Sequence, residues 1–357
     1  MRPARALINL QALRHNYQLA QTLCAGKALA VVKADAYGHG AVVCSQALQD
    51  ISDGFAVSSL EEALELRAAG IKQPIVLLEG FFHADELALI VAYDLWCMVH
   101  AEWQLQAVEQ AQLSQPIRVW LKIDSGMHRV GFFPHEVYTV WQRLQASHNV
   151  ASVVLATHFA RADEQYSSRT QEQYQVFLEA TRGIQAQVSV CNSPALLAWP
   201  DICSDWSRPG IILYGSQPVA AERLNGEQFR PVMTLQSKVI AVRELPAGEP
   251  VGYGAQFVSD KPMRVGVVAL GYADGYPRHA PTGTPVAVDG KRTRLLGRVS
   301  MDMLAIDLTD HVTASVGSVV ELWGENVSID EVAELAGTIS YELLCHVKRV
   351  KYEYLPI

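Results

Sequence analysis

One lysine near the start of the chain, Lys33, is well placed to act as a nucleophile. It follows a run of small and apolar residues at positions 28–32 and precedes a turn rich in glycine and histidine. This pattern predicts a buried strand that ends at the lysine. A rigid strand end holds an amine still, and an amine shielded from water is available as a nucleophile or base. A lone strand-end lysine more commonly extends into solvent, so the residues around it decide the interpretation.

Other cationic side chains follow later apolar runs in the same way. Lys122 and Arg129 surround the end of one run, and His158 follows the next. Arg208 introduces the last run of this part of the chain. Any one of them could form a rim salt bridge or cap a helix. Because several occur at successive strand ends, together they predict a cationic pocket for a small anionic molecule.

A phosphate site is predicted beside this pocket. Ser193 and the backbone amides of Gly210 and Ile211 lie where barrel enzymes bind phosphate, in the loops after strands seven and eight. Gly210 has no Cβ and lets the backbone approach a phosphate closely. A nucleophilic lysine beside a phosphate site suggests pyridoxal 5'-phosphate (PLP) held as a Schiff base.

The first 215 or so residues alternate short apolar runs with longer amphipathic ones. Eight strands separated by helices predict a (β/α)8 TIM barrel, whereas the rival, a doubly wound sheet, would need a glycine-rich fingerprint after the first strand. In the clearest helix, Ser59 is the expected N-cap and Glu62 completes a capping box. The strands are expected at residues 29–33, 54–57, 74–78, 95–99, 118–123, 150–156, 187–190 and 209–214. The helices are expected at residues 60–69, 84–92, 101–111, 134–146 and 168–182.

After about residue 226 the pattern changes to short β-branched segments separated by turns. The predicted fold is α/β, with an N-terminal (β/α)8 barrel at residues 1–228 and a C-terminal mainly β domain at 229–357. The boundary is expected near Gly226–Arg230, and a single helix is expected in the second domain, at 329–336. Its strands are expected at 235–242, 264–269, 284–288, 293–299, 304–307 and 319–322.

Composition excludes several other classes of protein. The net charge is -8 without a basic cluster, so no nucleic-acid partner is expected. No apolar stretch approaches the ~20 residues that span a bilayer, so no membrane partner is expected. The six cysteines show neither Cys-x-x-Cys pairing nor a disulfide framework, which indicates reduced thiols and a cytoplasmic protein. No metal is expected.

The motifs resemble those of the alanine racemases, most closely the short catabolic-type enzymes of Gram-negative bacteria. This resemblance implies a PLP-dependent enzyme of fold type III that acts on alanine. It also implies a homodimer in which the β domain of one subunit completes the other's site. It runs through residues 28–40, 120–131, 157–163, 191–195, 208–215, 251–255, 271–277 and 297–303.

The resemblance also implies roles for single residues in binding the cofactor. Lys33 would hold PLP covalently. Arg208 would face the pyridine nitrogen, and His158 would form a hydrogen bond with that arginine. The phosphate contacts would be Tyr37, Ser193, Gly210 and Ile211.

The acid–base work would be divided between two chains. Lys33 would serve one face of Cα and Tyr253 of the partner subunit the other. Arg129 would bind the substrate carboxylate, beside the backbone of the partner's Met301. Lys122 corresponds to a lysine that can be carbamylated in this family and could then orient Arg129. The entrance residues would be Tyr272 and Asp302.

One departure and three alternatives remain at this point. Many members carry a phosphate-binding tyrosine directly before an Arg-Val-Pro segment, whereas residues 346–351 are His-Val-Lys-Arg-Val-Lys. That role is therefore unassigned. A racemase of broader specificity, acting on serine or basic amino acids, stays open. A fold-type-III decarboxylase normally has an acidic residue where Arg208 stands, and a non-catalytic PLP carrier lacks a second domain.

Overall fold

Eight parallel strands form a barrel in the first part of the chain, in a computed structural model that describes residues 2–219 and 228–357. Seven of them pair in chain order, and the eighth pairs with the first. The ring closes where the Ser189 hydroxyl donates to the Trp206 carbonyl at 2.6 Å. The strands are Lys27–Val31, Gly54–Val57, Ile75–Leu77, Leu95–Val99, Ile117–Lys122, Val150–Ala156, Gln187–Ser189 and Trp206–Ser207.

Helices cover the outside of this barrel, so the strands are apolar on both faces, as in Leu95–Val99, where every residue is buried. The first helix is capped by Asn9, whose side chain accepts the Ala12 N–H at 2.9 Å. The helices of this part are Leu10–Leu23, Ala41–Leu48, Leu60–Ala68, Glu86–Ala92, Glu102–Gln110, Val137–Ala146, Arg169–Ala180 and Ser193–Ala198.

The predicted TIM barrel is confirmed, but its eighth strand was placed wrongly. The strand is Trp206–Ser207, and Ile211–Tyr214, expected as strand, forms a turn of 3-10 helix. This turn ends at Gly215, which has a φ of +88°. A short apolar run is equally compatible with a buried strand and a buried helical turn, because neither leaves a polar face in the sequence.

The predicted capping box is also wrong. Ser59 precedes the helix Leu60–Ala68 in extended conformation, but its side chain does not cap it. The Glu62 carboxylate instead accepts the Ser58 N–H at 2.7 Å and the Ser58 hydroxyl at 2.8 Å.

A left-handed turn follows the first barrel strand. Lys33–Gly38 makes one turn, in which Ala34, Asp35, Ala36 and Tyr37 have φ of +52° to +54°. L-residues in this conformation cost roughly 1–2 kcal/mol each, so four in succession need contacts that hold them.

A second barrel forms in the C-terminal part. Six antiparallel strands close on themselves because the long strand Met233–Leu245 pairs with both Val319–Trp323 and Met263–Val268. In ring order the strands are Met233–Leu245, Val319–Trp323, Pro285–Val288, Lys291–Leu296, Leu304–Asp307 and Met263–Val268. The remaining elements are the pair Pro250–Val251 and Phe257–Val258, the helices Ile329–Leu335 and Ser340–His346, and the last strand Lys351–Leu355. The predicted mainly β part is confirmed, while the helix Ser340–His346 was missed.

The first strand of the chain, Arg5–Asn9, joins this second sheet. It pairs antiparallel with Met233–Leu245 and parallel with Lys351–Leu355. The N-terminus therefore ties the first barrel to the second. The division at residues 228 and 229 stays a prediction, and Gly226 lies outside the described residues. No described helix is both long and apolar enough to cross a membrane.

Candidate active site

A cavity of about 630 Å³ opens at the carboxyl ends of the first barrel's strands. All the site residues predicted in the barrel line it, although they come from five separate stretches of sequence. The structure thus brings together Lys33, Tyr37, Lys122, Arg129, His158, Ser193, Arg208, Gly210 and Ile211.

Lys33 enters this cavity from the strand end. The preceding Val32 donates its N–H to the Ala56 carbonyl of the neighbouring strand at 2.9 Å, which fixes the backbone. Lys33 is partly buried. The left-handed turn then brings Tyr37 to the same cavity, so the two side chains at the ends of this turn share one site.

Arg208 is a buried cation at the cavity floor. Its guanidinium donates to the Thr157 carbonyl at 2.8 Å and to the Ser189 hydroxyl. Burial lowers the pKa of Arg208 to about 10, so the side chain is protonated at neutral pH. A guanidinium has only N–H donors, so any group it meets in the cavity must accept.

His158 lies beside Arg208, with its Nδ1 3.3 Å from the guanidinium. Burial, and then the positive charge of Arg208 and Lys122, holds the pKa of His158 well below its usual value. The imidazole is therefore neutral at pH 7, and its Nδ1 accepts from Arg208.

Lys122 is a buried amine at the wall of this cavity. It is buried, and its Nζ has the Ile123 carbonyl as a distant acceptor at 3.4 Å. Burial and the nearby Arg208 lower the pKa of Lys122 to about 7. A substantial fraction of this side chain is therefore a neutral, nucleophilic amine at neutral pH.

The predicted phosphate end is tightly packed. The Gly210 N–H donates to the Ser193 hydroxyl at 2.8 Å, so the two predicted loops meet. A Cβ on Gly210 would lie 2.7 Å from the Tyr37 hydroxyl oxygen. Burial raises the pKa of Tyr37, which keeps its phenol protonated and able to donate.

Comparison with known proteins agrees with this geometry. Residues 8–218 match the model of the alanine racemase N-terminal domain, and residues 232–354 match that of the C-terminal domain. The chain is 63% identical over 354 residues to an alanine racemase of Pseudomonas fluorescens, covering 99% of both chains. The chain belongs to the alanine racemase family. It is an isomerase of a family that is generally PLP-dependent.

Two enzymes of Pseudomonas aeruginosa refine this assignment. The chain is 60% identical to the catabolic alanine racemase, over 99% of both chains. It is 48% identical to the biosynthetic alanine racemase of known crystal structure, with a TM-score of 0.96 and full coverage of both chains. The predicted similarity to the catabolic-type alanine racemases is therefore confirmed.

The structure supplies one cavity residue that the sequence left unassigned. Tyr341, on the missed helix Ser340–His346, lines the cavity with its ring centroid 5.9 Å from that of Tyr37. From the sequence, the role of a phosphate-binding tyrosine stayed unassigned at residues 346–351, and this tyrosine lies just upstream of them. Recognising this helix in the sequence would have pointed to Tyr341 as a residue of the second part of the chain that lies close to Tyr37.

The remaining predicted residues do not reach Lys33 in one chain. Tyr253 is 71% exposed and Met301 is 53% exposed. Neither they nor Tyr272 nor Asp302 line the Lys33 cavity within the described part of the chain. Three of them share one region, because the Tyr272 N–H donates to the Ser300 carbonyl beside Met301 and Asp302.

Proposed function

We propose that this alanine racemase interconverts L- and D-alanine by two bases on opposite faces of Cα, Lys33 of one chain and Tyr253 of a second copy, with PLP in the barrel cavity. The observation that carries the proposal is the distribution of the predicted residues. All those of the barrel line one cavity, whereas Tyr253 and Met301 lie exposed on the second barrel. A homodimer in which residues 229–357 of one subunit complete the site on residues 1–228 of the other joins the two sets.

The cavity suits PLP at both of its ends. At one end, Gly210 leaves room beside the Tyr37 hydroxyl that a Cβ would fill, and the Ser193 hydroxyl lies against its amide. These donors suit a phosphate, to which Ile211 adds its backbone N–H and Tyr341 a phenol. At the floor, buried Arg208 suits the acceptor nitrogen of a pyridine. When bound, PLP withdraws electrons from Cα of the amino acid and acidifies its proton.

Arg208 controls how strongly that withdrawal acts. Because its guanidinium only donates, Arg208 would leave a pyridine nitrogen that it faced without a proton and would thereby limit the electron withdrawal that the cofactor supplies. The proton removed from Cα then returns promptly, which favours racemisation over transamination. His158 stays neutral and supports the orientation of Arg208 through its 3.3 Å contact.

Charge in the cavity accounts for substrate binding and for the second base. Arg129 is exposed at the rim, where its guanidinium can hold the substrate carboxylate. A phenol is protonated in water at neutral pH, so it needs nearby cations to serve as a base. The guanidinium groups of Arg208 and Arg129 would provide them for Tyr253 of the partner subunit, with the partner's Met301 beside it.

Three smaller assignments accompany this proposal. Lys122 becomes an anionic carbamate that orients Arg129. Tyr272 and Asp302 lie at the entrance to the partner's cavity. The protein acts in the reducing cytoplasm, which fits a sequence whose six cysteines show neither Cys-x-x-Cys pairing nor a disulfide framework.

Incubation with L-alanine in D2O tests the proposal. The purified protein should show an absorbance band near ~420 nm and should release D-alanine with deuterium at Cα. Lys33→Ala should lose both the band and the activity. A colourless protein that binds no PLP, or a Lys33→Ala variant that still racemises alanine, would overturn it. Parallel incubations with L-serine and L-lysine measure how broad the specificity is.

A further inference from the structure

A carboxylate outside the cavity reaches the backbone next to Lys33. Glu62 lies in the first turn of the helix Leu60–Ala68, after the second barrel strand. Its Oε1 accepts the Ala34 N–H at 2.7 Å, and its Oε2 accepts the N–H and the hydroxyl of Ser58. One carboxylate therefore joins the ends of two neighbouring barrel strands.

The bond to Ala34 lies where the chain needs support. Ala34 is the first of the four left-handed residues that follow Lys33. The far end of this turn is held from within, because the Asp35 carboxylate accepts the Ala41 N–H at 2.7 Å. Neutral His39 also donates from Nδ1 to the Ala36 carbonyl at 2.9 Å. At the near end, beside the lysine, the Ala36 N–H donates to the Val32 carbonyl at 2.8 Å, and the Ala34 amide itself is held by the side chain of Glu62.

From this geometry we propose that Glu62 is a positioning residue for Lys33. By fixing the Ala34 amide, the carboxylate sets the direction in which the chain leaves the strand end, and with it the path of the lysine side chain into the cavity. Charged hydrogen bonds of this kind are about twice as strong as neutral ones. The inference rests on the proposed role of Lys33 as a base.

The chemistry of the contact explains why a glutamate serves here. Both oxygens of the carboxylate are hydrogen-bond acceptors, so they can accept all three hydrogen bonds at once. A glutamine has one acceptor oxygen, and because Ser58 offers two donors and Ala34 only one, that oxygen stays with Ser58 while the NH₂ group faces Ala34 and loses the bond there. An aspartate is one methylene shorter, so it can still accept from nearby Ser58 but falls short of Ala34.

The adjacent Glu61 offers a matched control. It lies in the same helical turn and is exposed, and the Ser59 hydroxyl lowers the pKa of its carboxyl. Glu61→Gln changes the charge of the helix start as Glu62→Gln does, but leaves the Ala34 amide bonded. A difference between these two variants therefore reports the contact with Ala34.

The test compares the PLP-loaded wild type with Glu62→Gln, Glu62→Asp and Glu61→Gln. We expect kcat for alanine to fall about tenfold in both Glu62 variants, because a misplaced base slows proton transfer, while KM changes less than about threefold. Hydrogen–deuterium exchange in a peptide covering residues 33–40 should be faster in both. Glu61→Gln should match the wild type in kcat and exchange.

Glu62→Asp keeps the proposal testable if Glu62→Gln does not fold, since it retains the charge and the local contact with Ser58. A kcat within twofold of wild type in the Glu62 variants, or unchanged exchange in residues 33–40, would overturn the inference. If the wild type itself releases no deuterated D-alanine, the proposed function fails instead. The exchange measurement then still decides whether Glu62 holds the turn.

Discussion

Lys122 shows how strongly the cavity acts on a single residue. Burial is the main cause of its low pKa, Arg208 and Arg129 add to it, and Asp124 only partly offsets them. An ammonium is therefore disfavoured at this position, while an anion would be stabilised by the same neighbours. The neutral amine can react with CO2 to give a carbamate and a proton, which reverses the sign of the charge.

The formation of the carbamate on Lys122 has a predictable pH dependence. Because the pKa of Lys122 is about 7, the amine is mostly protonated below about pH 6 and mostly neutral above about pH 8. At constant dissolved CO2, a ¹³C carbamate signal from labelled bicarbonate should therefore rise with pH across this interval. It should be absent from Lys122→Ala. No signal in the wild type, or an equal signal in the variant, would contradict the assignment.

The sequence predicted the cationic residues of the site more completely than their supports. Lys33, Lys122 and Arg208 could be found because strand ends of a parallel barrel converge, so chemical residues at those ends meet whatever their distance in sequence. Glu62 could not be found in this way. Its local pattern fits a capping box, and only the folded barrel brings it to Ala34.

At the scale of elements, length and periodicity decided what could be predicted. The strands Gly54–Val57 and Leu95–Val99 have the predicted bounds because they are continuous apolar runs between polar segments, and Val150–Ala156 has them although Ser152 interrupts its apolar run. Trp206–Ser207 has only two residues, too few to show the hydrophobic periodicity that identifies a strand. Arg5–Asn9 pairs with strands more than two hundred residues away, which no local pattern records.

The left-handed turn was not predictable, because alanine, aspartate and tyrosine do not favour it. The backbone strain of this turn can be tested by its effect on thermal stability. Ala34 is exposed, so Ala34→Gly should relieve roughly 1–2 kcal/mol of backbone strain. Glycine costs about 0.4–1 kcal/mol through the more flexible unfolded chain. The relief exceeds the cost, and the midpoint of thermal unfolding should rise by about 1–2 °C.

The same substitution in an ordinary helix should act in the opposite direction. Ala88 is an exposed residue of the helix Glu86–Ala92, where glycine costs about 1 kcal/mol. Calorimetry of Ala88→Gly should therefore show a lower midpoint than the wild type. A decrease of similar size in Ala34→Gly would mean that the turn carries no relievable strain.

At the scale of the whole molecule, residues of the N-terminal and C-terminal segments hold one surface region of the second barrel in place. Arg2 forms an ion pair with buried Asp274 and donates to the Asp302 carbonyl at 3.1 Å. Arg349 donates to the Asp302 carboxylate at 2.8 Å. These contacts fix the region of Tyr272 and Met301 on the protein surface. A region that contacts another subunit must be held in one conformation in this way.

Complementation between inactive variants decides whether two chains share each site. In a heterodimer of Lys33→Ala and Tyr253→Ala, one site carries both changes and the other carries neither. Random exchange of equal amounts makes half the dimers mixed, so about a quarter of the wild-type activity should return.

Arg208→Ala gives the control, because Arg208 and Lys33 line the same cavity of the same chain. Mixing Arg208→Ala with Lys33→Ala leaves every site with one of the two changes, so activity should not rise above the mean of the two unmixed variants. If native mass spectrometry proves that subunits exchange but the first mixture recovers no activity, Tyr253 lies outside the shared site. The reason is that only the mixed dimer of Lys33→Ala and Tyr253→Ala would contain a site free of both changes.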